Sequence, residues 1–144
     1  MDIALSRTVS VEELSPILAD QFPTQSIRVS EMLPPESWDA EADVLISLIL
    51  STIPGFPAGL SIERAPQTPE VLRKSIILLA KQISSRLAVL SICDGTGFGP
   101  DDSPYWFLIW IEGQAHLADD SPTDSEPPGP PQLIRTLEVP EDLH

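Results

Sequence analysis

Apolar positions along this chain come in short runs separated by proline, glycine and acidic residues, and their period changes from run to run. Ile3 to Val9 reads as a short first strand. Ser10-Val11-Glu12-Glu13 has the spacing of a capping box and predicts a helix toward Phe22. Pro16 removes a donor and crowds the preceding turn, so the competing reading is a stub that begins at Ser15. Ser26 to Met32 alternates polar and apolar as a half-buried strand does, and Pro34-Pro35 closes it. Ser37 to Ile53 has the look of another strand, but Trp38, Ala42, Leu45, Ile46, Ile49, Leu50 and Ile53 recur at the spacing of a helix face. Ser37 suits its cap, Asp39 and Glu41 its positive end, and Pro54-Gly55 its termination, so a helix is predicted there.

Ala58 to Arg64 offers a short strand. Thr68-Pro69-Glu70 then combines a capping threonine, proline at the first helical position and an acid in the first turn. Leu72, Ile76, Leu79, Ala80, Ile83 and Leu87 line one face of the helix that follows. It leads into Leu87 to Cys93, an apolar run of strand length that a central strand requires. Strand, helix and strand from Leu60 to Cys93 form a candidate βαβ unit.

After the loop Gly95 to Pro104, Tyr105 to Ile111 is aromatic and β-branched, which favours a strand. Period two puts Tyr105, Phe107, Ile109 and Ile111 on one face and Trp106, Leu108 and Trp110 on the other. Glu112-Gly113 reads as a tight turn into Gln114 to Ala118. The fold class expected is α/β or α+β: one domain over residues 1–118, with a mixed sheet of four to six strands and two or three helices. Residues 119–132, rich in proline, serine and acid, are expected to be a flexible loop that cannot repay the entropy of ordering. Residues 133–144 supply a return strand or extended arm and a tail.

Composition adds a direction. The 144 residues carry 22 acids against 8 bases, a net charge of −14. Arg64, Arg73, Lys74, Lys81 and Arg86 sit close together, whereas from Leu87 onward the acids meet a single base, Arg135. Such a field disfavours nucleic acid or an anionic bilayer as direct partner and favours a cationic protein. The one cysteine, Cys93, makes no intrachain disulfide and fits a reducing, cytoplasmic setting. No signal-like leader is apparent, and Val44 to Leu50 is too short to span a bilayer.

Each candidate for chemistry has a plainer counterpart. Cys93, His116 and Asp94 or Asp119 are the residue types of a cysteine nucleophile with its base and orienter, but a cysteine in an apolar strand is ordinarily a small core residue. The glycines after Asp94 are followed by acids rather than by lysine and a helix, which argues against a phosphate cradle, and their spacing is not that of a calcium loop. Asp39, Glu41 and Asp43 do not converge on a helix, and Pro127 to Pro131 reads as a stiff loop. No catalytic residue, metal or cofactor is assigned.

What remains is a binding reading. Small, acidic, cysteine-poor and single-domain, the chain resembles in overall build the immunity proteins that bacteria keep against secreted toxins, often basic nucleases. The resemblance implies a monomer or weak dimer that occludes a toxin's active site. Its expected contact surface is Asp94, Asp101, Asp102, Glu112, Asp119 and Asp120, with Trp106 and Trp110 as anchors if exposed. Alternatives are a phage-encoded nucleic-acid mimic and a secretion chaperone or adaptor.

Overall fold

The computed structural model describes residues 1–23, 25–31, 44–64, 69–96, 98–99, 106–119 and 129–138. In chain order they form β1 (Ile3–Leu5), α1 (Val11–Gln21), β2 (Ile27–Glu31), β3 (Val44–Leu50), β4 (Ala58–Arg64), α2 (Pro69–Leu87), β5 (Ser91–Asp94), β6 (Trp106–Ile111), β7 (Gln114–Asp119) and β8 (Gln132–Leu137). The strands make one mixed sheet in the order β2-β3-β4-β1-β5-β6-β7-β8. Only β2 and β3 pair in parallel; every other neighbouring pair is antiparallel. The fold is therefore α+β with two helices, and its eight strands exceed the expected four to six.

One of the additional strands corrects the helix expected over Ser37 to Ile53. Residues 44–50 form β3, while Ser37, Trp38, Asp39 and Glu41 lie outside the described residues. Val-Leu-Ile-Ser-Leu-Ile-Leu is apolar at nearly every position, so it satisfies a helical period and a strand alike. Its place between β2 and β4 decides the matter, because both faces find neighbours and β-branched side chains suit a pleated surface. The other is β8, which takes the first of the two forms expected for that segment, an edge strand against β7 rather than an extended arm.

Helix α1 keeps the capping box in full: Glu13 N–H donates to Ser10 Oγ (3.1 Å) and Ser10 N–H to Glu13 Oε1 (3.0 Å). Arg7 pairs with the same carboxylate at 2.9 Å, and Glu13 is held below the usual carboxylate range first by that guanidinium and then by the Ser10 amide. Pro16 does not end the helix. It lies on the exposed side, where water can take the carbonyl it leaves unpaired, while Leu14, Ile17 and Leu18 are buried. Helix α2 buries Ile77, Leu79, Ala80 and Ile83 and ends where Ala88 turns left-handed (φ 54°). The expected strand from Leu87 thus begins later, at Ser91.

Both helices cover one sheet face, where Ile3, Leu5, Ile46, Leu60, Cys93, Leu108 and Trp110 join one core cluster. Buried serines stitch this layer: Ser91 Oγ donates to the Ala80 carbonyl (2.6 Å), and Ser84 Oγ accepts from Gly113 N–H (3.1 Å). The opposite face carries Ala4, Ile92, Ile109 and Ala118, packed with Phe56 and Ile53. Strands β4 and β5 are parallel to each other, as the βαβ pattern requires, but β1 lies between them, antiparallel to both. Among the described residues no helix is long and apolar enough to cross a membrane.

Two outcomes follow from this packing. Ile3 is wholly buried, and Ile3→Ala is expected to cost about 2–5 kcal/mol in urea unfolding. Glu112 occupies the β6–β7 turn with φ 50° beside Gly113 at 82°. Asn tolerates that left-handed conformation better than Glu, so Glu112→Asn is expected to raise stability by about 0.5–1 kcal/mol.

Candidate functional site

Antiparallel order brings the C-terminus of β5, the N-terminus of β6 and the C-terminus of β7 to one end of the sheet. Asp94 closes β5 opposite Phe107, and Trp106 opens β6 opposite Asp119, the last residue of β7. Three of the eight expected contact residues therefore reach this end of the sheet, Trp106 and Asp119 on one face and Asp94 on the other. Asp101, Asp102 and Asp120 lie outside the described residues. Glu112 does not join them: it sits in the turn at the other end of β6, about 17 Å away at the rise of a strand.

Trp110 is corrected from conditional anchor to core residue. It is 3% exposed, because its strand face is the one α2 covers, with the Lys81 ammonium 5.9 Å from the indole centre. Trp106, on the same face but at the open end, is half-buried. A side-chain carbon added at Gly99 would overlap its indole, which places the loop backbone flat against the ring.

The turn after β5 is tightly built. Asp94 Oδ1 accepts from Thr96 N–H (3.1 Å) and Thr96 Oγ1 (2.7 Å), Gly95 N–H reaches the Trp106 carbonyl (2.9 Å), and Phe98 N–H reaches the Gly95 carbonyl (3.0 Å). Glycine is required at Gly95, where an added carbon would lie 2.6 Å from the Phe107 backbone. Arg73 on α2 donates to the Thr96 carbonyl and lies 5.6 Å from the Phe98 ring centre, pinning the loop to the helix layer. The Asp94 side chain is left exposed at the rim.

A cleft of about 370 Å³ opens at this end, between the start of β1, the end of β5 and α2. Asp2, Arg73 and Asp94 are its charged residues, and Ile53, Leu72, Ile76, Ile92 and Phe107 supply apolar walls. Asp2 and Arg73 carried no signal in the sequence, since neither belongs to a local motif and the cleft is assembled by strands distant along the chain.

Cys93 and His116 are not brought together. Cys93 pairs with Leu108 and Leu108 with Leu117, so Cys93 shares the helix face with Leu117; His116 pairs with Ile109 on the opposite face. His116 Nδ1 donates to its neighbour, the Gln114 carbonyl, at 3.1 Å. Burial pushes the Cys93 thiol up to about 12, with Trp110 acting in the opposite direction. Among the described residues no group of three or more His, Cys, Asp or Glu converges as a metal site would.

The thiol makes a measurable prediction. Its folded pKa lies above the ordinary 9.0, so its contribution to stability is complete below pH 9.0 and is lost as pH rises toward about 12. The urea midpoint is expected to fall over that window, less steeply in Cys93→Val. Iodoacetamide at pH 8 should label the protein only after unfolding. Compared with family models, curated proteins and solved structures, the chain finds no match in any of the three.

Proposed function

We propose that this chain is a small acidic binding protein without catalytic activity that masks a cationic protein partner, in the manner of an immunity protein occluding the active site of a bacterial toxin. The observation that carries the reading is that Asp94 on one face and Trp106 with Asp119 on the other all lie at one end of the sheet of a molecule with net charge −14. Carboxylates there stand in for the phosphates a basic nuclease would bind, and the half-buried indole supplies contact area with little rotamer entropy to lose. Long-range attraction speeds the encounter, and the aromatic contact sets how slowly the complex falls apart. The rigid turn at Asp94 adds to this by presenting its carboxylate in a fixed position.

The test is association with a basic nuclease domain encoded beside this chain's gene. A one-to-one complex that abolishes nuclease activity is expected, with an association rate that falls as salt rises through the range where the Debye length shrinks from about 30 to 8 Å. Asp94→Lys and Asp119→Lys should each slow association about tenfold. Glu112→Lys, at the far end, should change it little. Association indifferent to salt, or equally sensitive to Glu112→Lys, would overturn the reading.

A further inference from the structure

We propose that the cleft between β1, β5 and α2 binds an uncharged apolar ligand carrying one acceptor oxygen, of the kind a ketone or ester has, with Arg73 Nε as the donor to that oxygen. The inference stands on the cleft alone and does not require the partner reading above. Arg73 lies in the cleft wall. Its Nη2 donates to the Thr96 carbonyl, and its guanidinium carbon is 5.6 Å from the Phe98 ring centre. The Nε–H of the same group is buried and has no acceptor among the described residues. A buried donor in that position has given up water and gained nothing in return, which is costly. A ligand oxygen in the adjoining space supplies the missing partner, and the bond is a strong one because the donor is charged.

Charge decides what kind of oxygen it is. The acids of the cleft are engaged with the backbone: Asp2 Oδ2 accepts from the Ile62 amide (2.7 Å), and Asp94 Oδ1 from Thr96 N–H (3.1 Å). Two acids and one base line the space, in a molecule of net charge −14. A carboxylate ligand therefore enters against the field. An ammonium has three donors and no acceptor, so it leaves Nε as it was and sets a second cation beside the first. A neutral carbonyl satisfies the donor and adds no charge.

The walls decide what carries the oxygen. Ile53, Leu72, Ile76, Ile92 and Phe107 present carbon to a space of about 370 Å³. Water alone would leave that surface wet, whereas an alkyl body covers it. Many apolar contacts around a single oriented polar group are the usual build of a small-molecule site.

The experiment is a titration of the full chain at neutral pH with 2-heptanone, 2-aminoheptane and hexanoate, read by proton–nitrogen NMR of the backbone amides and of the arginine Nε–H groups. The ketone is expected to shift the Ala4, Ile92, Cys93 and Asp94 amides and to move the Arg73 Nε–H signal downfield. It should bind at least tenfold more tightly than the ammonium or the carboxylate. Arg73→Lys keeps the charge and removes the Nε donor, and should weaken ketone binding about tenfold. Ile76→Trp fills the cleft from α2 and leaves Arg73 unchanged, so it should abolish the shifts even if Arg73→Lys also loosens the Thr96 turn. N-acetyl-leucine methylamide distinguishes the sources: binding comparable to the ketone points to an apolar peptide carbonyl of another protein, and binding of the ketone alone to a small metabolite. Equal binding of the ammonium or the carboxylate, an Arg73 Nε–H signal unmoved at saturation, indifference to Ile76→Trp, or no shift in the cleft at millimolar ketone would overturn the proposal.

Discussion

Ile3, Ala4 and Leu5 make a strand of only three residues, yet the sheet depends on it. β1 pairs antiparallel with β4 on one side and β5 on the other, joining the half built from β2, β3 and β4 to the half built from β5 to β8. Its three side chains are at most 1% exposed, so the pairing is locked by burial on both faces as well as by hydrogen bonds. A short strand can hold this position because each of its residues contributes to both ladders and to a core cluster. The same insertion turns the β4–α2–β5 unit into a crossover that skips one strand.

A sheet with its helices on one side imposes a strict division on every strand. Side chains alternate, so those facing α1 and α2 enter the large core and those facing away pack with Ile53 and Phe56. That division removes Trp110 from the surface and separates Cys93 from His116. Neither outcome depends on the chemical character of these residues. Both follow from register: Trp110 lies two residues from Leu108 on β6, Cys93 pairs with Leu108, and His116 pairs with Ile109.

Asp94 and Asp119 terminate strands at one end, and Asp2 enters the same region only because β1 is antiparallel to β5. The Asp94 carboxylate is held by the Thr96 turn, and the turn by Arg73, so a single cation on α2 helps set the position of this acid.

Local chemistry was legible in the residues themselves. The Ser10–Glu13 capping box, the start of α2 at Pro69, the facing of Trp106 to Ile111 and the Glu112-Gly113 turn each rest on groups a few positions apart. Hydrogen bonds and side-chain alternation at that range owe little to the remainder of the chain. Val44 to Leu50 was not legible, since a run apolar at almost every position fits two periods and only neighbouring strands could choose between them. The sheet order, the placement of β1 and the burial of Trp110 were likewise decided by tertiary structure. Each is a contact between segments far apart in sequence, fixed by which surfaces had to leave water together rather than by any preference of the residues alone.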